Sequence, residues 1–240
     1  MGGGGAVRVT AERCEFSQRE EVCEMRLSSI ITLAAAAALG GCASAKVDYV
    51  QAAFSPVENS VNVNGTFDET WDKLIKRLSS DFFIINNVEK NSRIINVSFS
   101  SSTPEKYVTC GTTTRQYADG TKNITYSYDP AASTQYLSAN DIGAFITLVR
   151  KTRLEGRANI YVEAISSNMN SVSTNIKYIL TANVSVFNAS GVNIGNSSFV
   201  FDFSTKNPSQ PMHDGSALPP VVCHSTGTLE GMILSYATAP

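Results

Sequence analysis

The chain has 240 residues, with 19 Lys and Arg against 21 Asp and Glu, so its formal net charge is −2. This length suits one domain of ordinary size, and the near-neutral charge argues against a nucleic-acid binder. Only 17% of the residues are charged, whereas Ser, Thr and Asn supply 67 of the 240. Short polar side chains together with β-branched residues are typical of a β-rich extracytoplasmic domain rather than a helical cytosolic one.

The segment ahead of Cys42 has the layout of a secretory signal peptide. Residues 25–29 form a short, positively charged start, residues 30–39 are apolar, and Gly40-Gly41 supply small residues at a cleavage point. A permanent transmembrane helix needs about 20 apolar residues, so this run is too short to be one. The order of these features indicates a signal peptide over residues 25–41. The alternative is an Ala-rich buried helix that ends at the two glycines.

Leu39-Gly40-Gly41-Cys42 resembles the lipobox of bacterial lipoproteins. In that family the cysteine thiol carries acyl chains such as palmitate, the signal peptide is cut just before it, and the new amino group is usually acylated too. The resemblance implies that Cys42 is the lipidation site and the first mature residue. Because Ala43 stands where inner-membrane lipoproteins usually have Asp, it favours the periplasmic face of the outer membrane. Two or three acyl chains give a lasting anchor, whereas one chain holds only marginally.

Residues 1–24 precede a complete signal, so we interpret them as an N-terminal extension assigned upstream of the true initiator, Met25. The alternative is an extended n-region of the signal. Residues 42–63 have scattered apolar positions without a sustained period, which predicts a tether. The expected organisation is therefore a tether followed by one periplasmic α+β domain over residues 64–240.

The domain is predicted to open with a helix and a hairpin. Thr66 and Glu69 have the spacing of a capping box, which favours a helix start at this point. An apolar stripe of helical spacing follows, and it consists of Phe67, Trp71, Leu74, Ile75 and Leu78. We therefore interpret Trp71 as a core residue rather than a binding site. Apolar runs over residues 82–88 and 93–99, joined by four polar residues, predict a β-hairpin.

The second half is predicted to contain a three-stranded antiparallel meander. Residues 174–187 alternate strictly, so one face of that strand should be buried. Residues 188–191 supply a turn, and the apolar parity of the return strand changes, which predicts a bulge around residues 195–197. Residues 158–165 form the third strand, and residues 145–154 add a strand edge.

The chain is predicted to end with a loop and a helix. Residues 204–223 contain four prolines and no period, which indicates a long loop. Ser225 or Thr226 caps a closing helix, whose expected apolar face is Leu229, Met232, Ile233 and Tyr236. The fold class is therefore α+β, an antiparallel sheet with an N-terminal and a C-terminal helix.

Residues 66–99 resemble the opening helix and hairpin of the helix-grip domains in BamC-like lipoproteins. The similarity lies in Phe67-Asp-Glu-Thr-Trp71-Asp-Lys-Leu74, Phe83-Ile-Ile, and Arg93-Ile-Ile-Asn-Val. In those domains an antiparallel sheet wraps around a long helix, and family members accompany the outer-membrane β-barrel assembly machine. The resemblance implies a helix-grip-like fold. This chain departs from the family because it has room for only one such domain and adds a long meander and a proline-rich loop.

Two cysteines remain beside the lipidation site in the expected mature chain. In an oxidising compartment a disulfide between Cys110 and Cys223 is the most economical interpretation. It would close a loop of 113 residues, for which the chain-entropy model gives roughly 4.7 kcal/mol as an upper figure. Two free buried thiols are the alternative.

A few polar residues are candidate chemical sites. His213, Asp214, Cys223 and His224 suggest a metal site or a Cys-His nucleophile pair, but their spacing fits no standard zinc pattern. We interpret residues 213–215 as a solvated turn. Five tyrosines of the middle third could mark a partner-binding surface or be ordinary strand residues: Tyr107, Tyr117, Tyr126, Tyr128 and Tyr136.

The sequence leads to one functional hypothesis and two alternatives. The hypothesis is a non-enzymatic, lipid-anchored outer-membrane lipoprotein that binds other envelope proteins as a periplasmic component or accessory of a cell-envelope protein assembly. It assigns no catalytic residue, cofactor or metal, and no nucleic-acid partner. One alternative is a periplasmic carrier that holds a lipid or other small apolar ligand in a helix-grip cavity. The other is an enzyme that uses His213 and His224.

Overall fold

The structure is a computed structural model that describes residues 43–213 and 220–238. The predicted signal peptide, Cys42 and residues 1–24 lie outside the described residues. The fold is mostly antiparallel β-sheet with two helices, which agrees with the predicted α+β class. The strands are β1 (Ser44–Val50), β2 (Ser60–Asn64), β3 (Ile84–Glu89), β4 (Ile94–Ser101), β5 (Val108–Thr109), β6 (Thr112–Ala118), β7 (Asn123–Tyr128), β8 (Thr134–Ala139), β9 (Phe145–Ser166), β10 (Met169–Asn188), β11 (Asn193–Ser204) and β12 (His224–Ser225). The helices are α1 (Phe67–Ser80) and α2 (Thr228–Thr238).

Two long antiparallel strands, β9 and β10, form the centre of a seven-stranded sheet. The outer edge of β9 pairs with β8 near its start and with β4 further along, and β3 pairs with β4. The outer edge of β10 pairs with β2 and then with β11. The predicted hairpin and meander are therefore confirmed as neighbouring parts of one sheet.

Strand β9 corrects one prediction, because residues 145–166 form a single strand of 22 residues rather than a strand with a separate edge segment. Its even-numbered side chains point to the core, yet Arg150, Thr152 and Gly156 occupy three of these positions. These residues interrupt the apolar alternation on which sequence interpretation depends.

Both helices pack on the same face of the large sheet. Helix α1 begins at the predicted capping box: the Thr66 N–H donates to the Glu69 carboxylate (2.9 Å), and the Glu69 N–H donates to the Thr66 hydroxyl (3.3 Å). The bond from the Thr66 N–H lowers the pKa of Glu69. Trp71, Leu74 and Leu78 are buried against the sheet, so the interpretation of Trp71 as a core residue is confirmed.

Glycine is required at position 156 of β9, which pairs with Phe99 on β4. A Cβ atom on Gly156 would overlap the Phe99 ring and would lie 3.0 Å from the Lys177 carbonyl oxygen. We expect Gly156→Ala to lower the free energy of unfolding by about 1–2 kcal/mol, because overpacking displaces both neighbours. Urea unfolding measures this change. Gly195→Ala on β11 is the matched control, since its Cβ meets nothing within 4 Å; equal effects at the two sites would contradict the prediction.

The predicted bulge lies one residue earlier than expected. Val186 pairs with Gly195 and Phe187 pairs with Asn193, so Ile194 is the extra residue on β11. The bulge accounts for the change of apolar parity in this strand, because one unpaired residue exchanges the two faces.

The predicted tether over residues 42–63 is wrong where Ser44–Val50 and Ser60–Asn64 form strands. β1 pairs antiparallel with β6 in a second sheet of order β1-β6-β7, and β2 pairs with β10. Residues 51–59 connect the two strands. Short strands of this kind carry only two or three apolar residues each, so a window of the usual length contains no sustained period.

The β6–β7 turn is organised around Asp119. Its carboxylate accepts hydrogen bonds from the N–H groups of Thr121 and Lys122 (2.8 and 2.7 Å) and from the hydroxyls of Tyr117 and Thr121 (both 2.8 Å). The N–H of Thr121 in particular holds the pKa of Asp119 well below its usual range.

We therefore expect Asp119 to make stability depend on pH. A carboxylate with a depressed native pKa stabilises the fold above its unfolded pKa of about 3.9, and this contribution is lost as pH falls through the native pKa. Asp119→Asn should unfold more easily than the wild type at pH 6, and the gap should narrow below about pH 4. Urea unfolding across this range measures it, with Asp141→Asn on an exposed turn as control. A gap that does not change with pH would refute the assignment.

Helix α2 closes the domain with a face rotated from the predicted one. Its buried residues are Leu229, Glu230, Ile233, Leu234 and Ala237, whereas Met232 and Tyr236 are half-buried. The helix begins at Thr228, and the Ser225 hydroxyl accepts a hydrogen bond from the Gly227 N–H (3.0 Å). The described part of the proline-rich loop returns on itself through the Met212–Val221 bridge. Within the described ranges, neither helix is long and apolar enough to cross a membrane.

Candidate functional site

The structure joins Cys110 and Cys223 by a disulfide bond, as the sequence predicted. Both residues are buried, and the bond lies beside the two-stranded pairing of β5 with β12. The Asp129 carboxylate accepts hydrogen bonds from the Cys110 N–H and the Thr109 hydroxyl, at 2.9 and 2.5 Å. Because the sulfur of Cys223 is bonded to Cys110, a Cys223–His224 nucleophile pair does not form.

The two histidines lie in different surroundings. His213 is exposed at the edge of the described loop, and Asp214 lies outside the described residues. His224 is only 5% exposed, and its ring packs edge-on against Phe54. Its Nδ1 lies 3.0 Å from the Ser225 carbonyl oxygen, so this nitrogen is the donor. Across residues 43–213 and 220–238, no three His, Cys, Asp or Glu side chains are grouped as metal ligands.

Four of the five tyrosines lie where the β1-β6-β7 sheet, which we call the small sheet, approaches β8. Tyr117 and Tyr136 are buried, and the ring of Tyr136 stacks on that of Tyr128. The Arg115 guanidinium lies 4.4 Å from the centre of the Tyr136 ring and donates from Nε to the Tyr128 hydroxyl (2.7 Å). Burial raises the pKa of Tyr136. These contacts favour the interpretation of ordinary strand residues that pack two sheets together.

Sequence interpretation did not find a buried carboxylate on the inner face of α2. Glu230 accepts hydrogen bonds from the hydroxyls of Tyr178 and Thr205 (both 2.8 Å) and Ser225 (3.0 Å). Burial, and then the neighbouring Glu230 carboxylate, raises the pKa of Tyr178, so this hydroxyl keeps its proton. The available signal is helical spacing: Glu230 lies four residues before Leu234 on the same face. The cluster joins α2 to β10, and its hydrogen bonds stabilise the packing of the helix on the sheet.

The surface most suited to binding is the side of the large sheet that faces away from the helices. We call it the open face; it comprises the outward side chains of β3, β4, β9, β10 and β11. No element of the described chain covers it. A cleft of about 840 Å³ crosses it and is lined by residues such as Asn96, Ser98, Arg157, Lys177 and Ile179.

The open face combines an amide row with exposed aliphatic side chains. The Asn86 amide donates to Asn96 (3.2 Å), and the Asn96 amide donates to Asn159 on the neighbouring strand. Ile84 is 65% exposed and Ile179 is 38% exposed, and both lie on the same side of this row along the strands. Such a mixture of aliphatic, amide and charged groups is common at protein interfaces.

The charges on the open face leave one arginine without an ion pair in the described chain. Arg157 and Lys177 are cross-strand neighbours, an arrangement that is unfavourable unless an acid compensates. Lys177 is paired with Asp202 (3.1 Å), and Arg153 with Glu155 (3.0 Å). Arg157 makes no ion pair with a described residue, so the face offers a guanidinium to a carboxylate from outside.

No protein-family model, no curated protein and no solved structure matches this chain.

Proposed function

We propose that the chain is a non-enzymatic lipoprotein, anchored by lipid on Cys42 to the periplasmic face of the outer membrane, that binds another envelope protein as a component or accessory of a protein assembly. The open face carries the proposal. It offers apolar side chains, an amide row and Arg157 on a rigid sheet. The lipobox-like Leu39-Gly40-Gly41-Cys42 supports the anchor, and it would place the lipid two residues before β1.

The size of the open face suits a protein partner. Five strands spaced about 4.8 Å apart, taken over about eight residues of about 3.3 Å each, give roughly 24 by 26 Å. A standard interface buries about 800 Å² on each partner, which such a surface supplies with its rim. Arginine and aromatic residues are enriched in these interfaces, and Arg153, Arg157 and Tyr161 are exposed here.

We also propose that the domain is a helix-grip variant. Helix α1 and the β3–β4 hairpin follow one another as in the BamC-like domains that residues 66–99 resemble, and α1 lies across the sheet that the hairpin joins. The long β9–β10 pair and the small sheet are additions to that plan.

Packing between the helices and the sheet favours a protein binder over a carrier. A carrier would hold its apolar ligand between these layers, where Trp71, Leu74 and Leu78 contact the sheet directly and are at most 2% exposed. The cleft lies on the opposite side, and it is lined by amides and charged groups as well as by aliphatic side chains.

Photo-crosslinking in intact cells tests the protein-binding proposal. A photoreactive residue at position 179 should give an adduct of one discrete mass, and the same residue at the exposed position 76 on α1 should not. Arg157→Glu should reduce the adduct severalfold, because it reverses the charge offered to the partner. The absence of an adduct at position 179, or an adduct unaffected by Arg157→Glu, would refute the role of the open face.

Metabolic labelling with a palmitate analogue tests the anchor separately. Label should enter the wild-type chain and be lost in Cys42→Ala. Label that persists in Cys42→Ala would show that the lipid is attached elsewhere and would refute the proposed site.

A further inference from the structure

The topology brings the start of the described chain and three turns to one end of the domain. β9 begins where β10 ends, since Ile146 pairs with Asn188, and the β10–β11 turn projects from the same end. The β8–β9 turn precedes β9 here, and Ser44 pairs with Ala118 before the β6–β7 turn. We call this the anchor end: Ala43 with residues 119–122, 140–144 and 188–194.

Ala43, the residue that follows Cys42 in the sequence, is fixed at this end. The Ala43 N–H donates to the Gly143 carbonyl (3.2 Å), and β1 begins at the next residue. Cys42 is covalently joined to Ala43, and consecutive Cα atoms are about 3.8 Å apart. Acyl chains on Cys42 would therefore enter a bilayer beside the 140–144 turn, and not at the far end of a flexible tether.

The anchor end presents aliphatic side chains to solvent. Ile142 at the tip of the β8–β9 turn is 84% exposed, and Val192 and Ile194 in the β10–β11 connection are 57% and 54% exposed. Their presentation is fixed by local hydrogen bonds. The Asn140 side chain accepts from the Ala144 N–H (2.7 Å), and the Asn188 side chain accepts from the Val192 N–H (2.9 Å).

An exposed isoleucine at a turn tip is unfavourable in water and favourable at the boundary between headgroups and acyl chains. Lipid on Cys42 would hold Ile142 and Val192 close to that boundary at all times, so even weak individual contacts would be made. Only three ionisable side chains lie in the residues of this end, Asp119, Lys122 and Asp141. Few charges would therefore lose water when the end approaches the headgroup layer.

We propose that the anchor end is a membrane-contact surface that seats Ile142, Val192 and Ile194 in the same leaflet of the bilayer that holds the acyl chains. This inference rests on the proposed lipid anchor. The contact would fix the orientation of the domain, with β9 and β10 directed away from the membrane.

Fluorescence quenching on vesicles tests the contact. The acylated full chain is reconstituted into phosphatidylethanolamine–phosphatidylglycerol vesicles, with a bimane label on Ile142→Cys or Val192→Cys. Ser92→Cys, on the exposed turn at the opposite end, is the matched control. Nitroxide-bearing lipids should quench about half of the emission at positions 142 and 192 and about a tenth or less at position 92. Slower hydrogen exchange of amides 141–144 in the unlabelled, vesicle-bound chain gives a second measurement.

The outcomes separate this inference from the proposed function. If the chain floats with the vesicles and positions 142 and 192 are quenched, the contact is supported. If the chain floats but both labels remain in water and amides 141–144 exchange as before, the membrane contact is overturned and the anchor stands. If the chain does not float, the anchor is overturned, and the contact with it.

Discussion

Replacing both Cys110 and Cys223 with alanine should lower the free energy of unfolding by about 2–4 kcal/mol. The bond closes a loop of 113 residues, so its removal gives the unfolded chain many more conformations. In the native state it reinforces the two-residue β5–β12 pairing that immediately precedes α2. Urea unfolding of the two proteins at pH 7 measures the difference.

The same experiment with reductant provides the control. Reduced wild type should unfold close to the double alanine variant, and the intact mass of the oxidised chain should be lower by two hydrogens. A reductant that changes neither mass nor unfolding would show that the two thiols are free, which is the alternative interpretation of these cysteines.

Glu230→Leu should destabilise the fold by about 2–4 kcal/mol, because it removes the charged acceptor that three buried hydroxyls share. The hydroxyls belong to Tyr178, Thr205 and Ser225, and the carboxylate is their common partner. Glu230→Gln keeps one acceptor oxygen with almost the same shape, so it should cost only about 1 kcal/mol. Urea unfolding measures both changes.

A double-mutant cycle with Tyr178→Phe shows whether the cluster acts as a unit. Removal of the Tyr178 hydroxyl should matter less once Glu230 is leucine, with a coupling energy of about 1 kcal/mol. Additive effects would mean that Glu230 stabilises α2 by packing alone.

Elements with local signals could be predicted from the sequence. The Thr66–Glu69 capping box and the Trp71 stripe lie within one or two helical turns, and the alternation of residues 174–187 lies within one strand. Each signal comes from residues that are neighbours in sequence, so no knowledge of the tertiary structure is needed.

Features that depend on distant pairing could not be predicted. β1 and β2 are short strands stabilised by partners more than 60 residues away, β6 and β10, and the intervening sequence does not reveal those partners. Arg150 and Thr152 conceal the continuity of β9, and Glu230 is buried only because three hydroxyls from other elements meet it. Hydrogen bonds between polar side chains that are far apart in the sequence leave little trace in the local pattern of polar and apolar residues.

The candidate site divides in the same way. The lipobox-like cysteine motif and the disulfide partners are visible as residue types and positions. The open face is not visible, because Asn96, Arg157 and Ile179 lie on three different strands and become neighbours only through register. The sequence therefore supplies a hypothesis about attachment, whereas the open face can be recognised only from the structure.

The length of β9 has a mechanical consequence. At about 3.3 Å per residue, its 22 residues extend roughly 70 Å. The hydrogen bonds that β9 and β10 share run across the two strands over almost their whole length, so bending the pair would strain many of these bonds at once. The pair would then serve as a stiff strut, able to hold a bound partner at a fixed height above its base.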